Sequence, residues 1–475
     1  MFCHVIYYDL KLVNSIENTP RTIYITSLIM QNSSFGSDTD TILRMFSTSD
    51  DIIECLPSVP RRESTQKLLG SIYDDIQWAC PFVHAAKQNN GSTRHNLETR
   101  PIRSVNAIPK PKVLRMSIIP KNVSDYIYQN SSYAFHFSTR VKNRTVKVIF
   151  VTSHTDPTSH INTYSQYFDR MMIWFHIAFK YSSDACGANI SVYIYDTPLQ
   201  KSLPKHRSEI LGKSHANTAY TYACPTMSRV RRTTRSISSD MESEIILFRH
   251  EEWFKVFIHE TFHMLGMDFS GIPNIDAARN VVRDRFPVES NMEICEAYTE
   301  TWATIINTCI CSHFCLEQLG KVTFVSYVEV LLGFEAAWRI FQMHKILRFM
   351  GLTYSDLYLK SKKAKLVRTN LYREDTNIFA YYVITAHLLV NYGDFMEWCS
   401  VNNGVGGNMS FHNTDANIMS FARLIVKLQS TLSTKNSIKE IGSKRCFNAI
   451  LDATEVVEHE PWVSETMRMS VCEMC

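Results

Sequence analysis

The segment Glu251–Gly266, EEWFKVFIHETFHMLG, constrains this chain more than any other stretch. Trp253, Phe254, Phe257, Ile258, Phe262 and Leu265 would clothe a helix in apolar side chains on nearly every side. A helix of that kind belongs inside a domain rather than on its surface. Two glutamates open it, where the helix dipole favours negative charge, and Gly266 is placed to close it as a C′ residue.

The polar residues inside that helix then demand a reason. His259 and His263 stand at i and i+4, so both imidazoles project from one face, one turn apart. That separation suits two nitrogen ligands on one zinc ion. Glu260 follows the first histidine and points beside the same face, within reach of a metal-bound water without being a ligand. A carboxylate there can take the proton of a water acidified to a pKa of about 7 and return it to a leaving amine. Two satisfied core histidines beside a solvated glutamate would be the bland alternative.

A catalytic zinc takes a third protein ligand and keeps one position open. The downstream segment Ser290–Leu316, SNMEICEAYTETWATIINTCICSHFCL, is the best supplier. Ser290 and Glu293 spell a capping box, which marks a helix start and gives Glu293 other work. Glu296 and Glu300 then follow at i and i+4 on a helix packed by Cys295, Trp302, Ala303 and Ile306. Stacked carboxylates on a half-buried face repel unless a cation lies between them or one accepts a histidine N–H. Glu296 is therefore expected on the metal and Glu300 behind a histidine ring.

HETFH at 259–263 with EICEAYTE at 293–300 resembles the gluzincins, zinc peptidases with H-E-x-x-H on one helix and a glutamate ligand on a later one. The resemblance implies His259, His263 and Glu296 as zinc ligands, Glu260 as general base and acid, and Glu300 as the group orienting a histidine. Here 32 residues separate His263 from Glu296, and Glu300 or Glu293 stays open as a replacement ligand. The resemblance covers about 131–320 in organisation. FRHEEWFKVFIHETFHMLGMDFS and EAYTETWA also resemble metallopeptidases encoded by large DNA viruses, which would fit a viral protein. Family logic implies an edge strand for an extended peptide substrate, for which Asn217–Cys224 is the candidate. It also implies an oxyanion donor; TNIFAYYVITAH offers Tyr381, Tyr382 and His387, with Tyr382 preferred. The loop 271–289, with Arg283 and Arg285, is expected to wall or lid the cleft.

The wider pattern supports an α+β fold, with a zincin-like mixed sheet and active-site helix over 131–270 and a mainly helical region over 271–475. Strands are expected at Tyr133–Thr139, Thr145–Thr152, Ile190–Asp196, Asn217–Cys224 and Ile245–Phe248, with an amphipathic helix at Ile161–Lys180. Helical stretches are expected at 291–318, 323–349, 376–392 and 415–430, broken by VNNGVGGN at 401–408. Residues 1–130 read as a polar, turn-rich region of unknown role. SFGSDTDT, SVPRRESTQ and KQNNGSTRHN are expected as loops and Thr22–Met30 as a candidate strand.

Composition excludes several classes. A net charge of +4 does not call for nucleic acid. Four arginines between Arg229 and Arg235 read as a solvated loop, and nucleic-acid binding through them ranks last. No apolar run is long enough for a membrane span, and no signal peptide is expected. Thirteen cysteines lack the even spacing of a secreted framework, so an intracellular, cytoplasmic setting with free thiols is expected, a virion location being compatible. Cys309, Cys311, His313 and Cys315 cannot converge from one helix and read as buried thiols. The C-terminal CEMC has Glu473 where a prenylation box wants an aliphatic residue. The expectation is a zinc peptidase, of endopeptidase type because no G-A-M-E-N-like element would clamp an amino terminus. A zinc amidase would use the same ligands. A structural or interaction protein retaining the fold is the alternative from another class.

Overall fold

The computed structural model describes residues 35–47, 62–88, 96–224, 242–315, 320–404, 409–434 and 462–474. Thr22–Met30 and Arg229–Arg235 lie outside the described residues.

Runs rich in Val, Ile, Phe and Tyr build a six-stranded sheet in the order β1-β2-β3-β4-β6-β5. The strands are β1 Asn96–Pro101, β2 Tyr133–Val141, β3 Arg144–Thr152, β4 Asn189–Asp196, β5 Ala219–Thr221 and β6 Glu242–Leu247. β3, β4 and β6 run parallel to one another; β1, β2 and β5 pair antiparallel to their neighbours. The sheet is therefore mixed, as expected, and β5 forms one of its edges.

Period-two alternation loads both faces. Val146, Val148, Phe150, Val192 and Ile194 join the main core, while Val151, Tyr193, Tyr195 and Ile246 pack into a second cluster. That second face is covered by Ile108 and Leu114 of the preceding segment and by Val123 and Ile127 of helix α3, Lys121–Asn130. The principal helices are α1 Ser37–Ser47, α2 Glu63–Gln88, α3, α4 Ile161–Tyr181, α5 Trp253–Met264, α6 Asp276–Arg285, α7 Ile294–Cys315, α8 Lys321–Phe349, α9 Lys362–Leu371, α10 Thr385–Val390, α11 Tyr392–Asn402 and α12 Asp415–Thr434. The helix α5 lies under the main face between sheet and α7, and every residue of it is buried. Trp174 of α4 stacks on its Phe262 at 5.9 Å between centroids.

Several expectations change. The polar amino-terminal region is not separate: α2 packs on α4, α8 and α11, and β1 extends the sheet across the expected 130/131 boundary. Leu68, Leu69, Ile72, Ile76 and Val83 give α2 an apolar stripe at helical spacing, interrupted in sequence by Gly70 and the internal Pro81. The helix α1 begins inside SFGSDTDT, and α2 inside SVPRRESTQ. The Ser290–Glu293 capping box is not formed: α7 starts at Ile294, and Glu293 turns to Arg279 at 2.6 Å. The expected loop over 271–289 contains α6, with Arg283 on Asn280 and Arg285 on Gln429. The thiols are not all free, because Cys186 and Cys224 form a disulfide that the chain closes across 38 residues. Cys309 and Cys311 are buried thiols along α7, as expected, whereas Cys315 is half-buried. Among the described residues no helix is long and apolar enough to cross a membrane.

Candidate metal centre

The helix α5 is held at both ends by groups that also shape the site. Its C-terminus closes in a Schellman arrangement: Gly266, at φ 64°, donates to the His263 carbonyl and Met267 to the Phe262 carbonyl. At the N-terminus Glu252 adopts φ 57° and binds buried partners rather than solvent. Its carboxylate takes the Lys201 ammonium and the N–H groups of Met469 and Ser470.

His259, His263 and Glu296 meet between α5 and α7. Their Nε2, Nε2 and Oε2 atoms lie 3.1 Å apart between the histidines, 3.1 Å from His259 to Glu296 and 3.4 Å from His263 to Glu296. Ligand atoms about 2.0–2.1 Å from a tetrahedral zinc stand about 3.3 Å from each other. The three edges match that triangle, and the N,N,O donor set suits zinc chemically. Among the described residues this is the one cluster of three such side chains able to share an ion.

Each imidazole is aimed by a carboxylate at its far nitrogen. Glu300 Oε2 lies 3.0 Å from His259 Nδ1, as expected, and Asp268 Oδ2 lies 2.5 Å from His263 Nδ1. Such outer carboxylates fix the ring orientation and leave Nε2 for the metal. Asp268 was not anticipated: it sits beyond the helix, outside any motif spacing, and is brought back by the turn at Gly266. Thr299 and Ser270 hydroxyls hold it at 3.2 and 2.8 Å. Glu300 is in turn gripped by Lys255 at 2.6 Å and Arg339 at 3.0 Å, all three nearly solvent-free.

Charge follows geometry. Burial works to lower the His259 pKa, but hydrogen bonds to Glu296 and Glu300 outweigh it and lift it to about 9. His263 rises well above the ordinary range against the same burial, driven by Asp268 and Glu296. Glu296 falls far below the usual carboxylate range, since both imidazoles outweigh its burial. With Glu296, Glu300 and Asp268 around the two imidazoles, positive charge is stabilised here, and a divalent cation competes with protons for the ring nitrogens.

Glu260 is buried beside the triad and lines a cleft of about 590 Å³. Burial raises its pKa above the ordinary carboxylate value, with the two histidines acting in the opposite sense. β5 forms one wall of the cleft through Ala219, Tyr220 and Thr221; Glu289, Ser290 and Asn291 form another. The edge-strand expectation is thus met by a strand shorter than Asn217–Cys224.

The expected oxyanion donor changes. Tyr382 turns its hydroxyl to the Met467 carbonyl at 2.6 Å, fully buried away from the cleft. Tyr381 lines the cleft instead, its hydroxyl 3.1 Å from Glu296 Oε2. A π-helical stretch, Phe379–Ile384, sets this phase, and Arg339 anchors the Tyr381 carbonyl at 3.0 Å. An α-helical reading of the sequence could not choose between adjacent tyrosines. His387 is buried against Tyr354 at 2.8 Å and Phe286, not in the cleft. Glu293 and Glu300, the other ligand candidates, are committed to Arg279 and to His259 Nδ1. No protein-family model, no curated protein and no solved structure matches this chain.

Proposed function

We propose that this protein is a zinc-dependent peptidase of zincin-like fold, acting as an endopeptidase. The observation that carries the reading is the triangle of His259, His263 and Glu296 donor atoms at zinc-ligand spacing, with Glu260 buried beside it. Zinc bound there would supply Lewis acidity, bringing the pKa of a water to about 7 and polarising a peptide carbonyl. Glu260 takes the proton of the attacking water and hands it to the departing amine. Its place beside the triad, on the cleft, suits a group that must both accept and release that proton. Tyr381 is the neutral hydroxyl that can donate to the developing oxyanion, and β5, at the edge of the sheet among the described residues, can pair with an extended peptide backbone.

The test begins with zinc stoichiometry by elemental mass spectrometry on native protein, His263→Ala and Glu296→Ala. One zinc per chain in the native protein, lost in both variants, is expected. Glu260→Gln should keep the zinc and abolish cleavage of a peptide library. Cleavage surviving in that variant, or no zinc after reconstitution of native protein, would reject the reading.

A further inference from the structure

Beyond the triad, the cleft is hydrophilic. Among the described residues its apolar and aromatic lining is limited to Ala219, Tyr220 and Tyr381, with no aliphatic side chain larger than alanine. Three further carboxylates, Glu289, Glu374 and Asp375, line it against the cation Lys213. Glu374 is occupied in holding its own loop, accepting from the Tyr372 hydroxyl at 2.8 Å and the Phe379 N–H at 2.7 Å. Glu289 and Asp375 are exposed and enter no ion pair among the described residues. Glu260, only 7% exposed and with no hydrogen-bond donor among the described residues, opens its carboxylate into this cleft. A buried polar group left open in this way awaits a partner from outside the chain.

A cleft so lined offers little apolar surface for a leucine or phenylalanine side chain. It does offer charge-assisted hydrogen bonds to a cationic one. Resting on the peptidase reading, we infer that the cleft selects peptides with an arginine or lysine side chain beside the bond to be cut. Glu289 and Asp375 are its specificity-determining residues. Complementary charge of this kind suppresses wrong partners as well as attracting right ones.

Binding is measured on zinc-loaded Glu260→Gln protein, so that peptide is not consumed. The probes are four fluorescent decapeptides differing only in a central Arg, Lys, Leu or Glu, followed by anisotropy. The Arg and Lys peptides should bind at least about tenfold tighter than the other two, with affinity falling as salt rises. Adding Glu289→Lys and Asp375→Lys together should reverse that order, while the thermal unfolding midpoint confirms an intact fold. Binding of none of the four, equal affinities, a Leu preference, or a basic preference surviving the double reversal would each overturn the inference. Cleavage by the zinc-loaded native protein separates the two readings. Cleavage without a basic preference sinks this inference alone; selective binding without cleavage sinks the peptidase reading and leaves a cationic-peptide site.

Discussion

Asp268 and Tyr381 show how much of the centre is supplied by single residues outside the motif. Asp268 aims His263, so Asp268→Ala should weaken zinc binding by about 10–100-fold, read as the zinc dissociation constant in a chelator competition. An unchanged constant would mean the carboxylate is not orienting the ring. Tyr381→Phe should lower kcat by about 100–1,000-fold while Tyr382→Phe leaves it within a few-fold, if Tyr381 donates to the oxyanion. The reverse order would restore Tyr382. His250 carries a separate consequence. Its Nδ1 lies 2.7 Å from Asp196; burial opposes its charging, but that contact lifts its pKa to about 9. A raised folded-state pKa stabilises the protein fully below the unfolded value of about 6.5, and that contribution is lost as pH climbs towards 9. Melting temperature should thus fall across that window, and His250→Gln should flatten the fall. The His250 side chain is 45% exposed, so the contribution is a modest one.

Among the elements, α5 depends on a segment more than two hundred residues away. Arg468, Met469 and Ser470 run through the interior, where Glu252 accepts from Met469 and Ser470. Glu335 of α8 accepts from Ser470 Oγ and the N–H groups of Val471 and Cys472 at 2.8–2.9 Å. Deleting 466–475 would strip Glu335 of all three donors, at about 3–5 kcal/mol for a buried charge left unpaired, and leave Glu252 with Lys201 and Lys255 alone. That is a large share of a native stability of about 5–15 kcal/mol, so the truncated chain should unfold at a markedly lower midpoint in calorimetry. A soluble truncation with a native midpoint would mean the strap is ornamental. At the other end of α5, Gly266→Ala should cost about 1–2 kcal/mol, because φ 64° is strained for a residue with a Cβ.

On the scale of the whole molecule, sheet, α5, α7 and α8 form one packed body around the cleft, so zinc should report on global stability. At a free zinc concentration one hundred times its dissociation constant, the native protein should gain about 2.7 kcal/mol, and His263→Ala none. The strands at 133–152, the helix at 161–181, the helix carrying HETFH and the Glu296/Glu300 pair were all legible, because short-range periodicity and i, i+4 spacing set which side chains share a face. Chemical identity at that spacing was enough to nominate His259, Glu260, His263, Glu296 and Glu300. The remaining features are non-local. Asp268 reaches His263 through a left-handed turn, Tyr381 displaces Tyr382 through a π-helical change of phase, and Cys186 meets Cys224 from 38 residues away. The apolar stripe of α2, set in a region that reads as polar, becomes core when α4, α8 and α11 cover it. Local sequence determines which faces exist; only the closing of the chain in three dimensions decides which faces meet, because contact energy depends on burial that no short window contains.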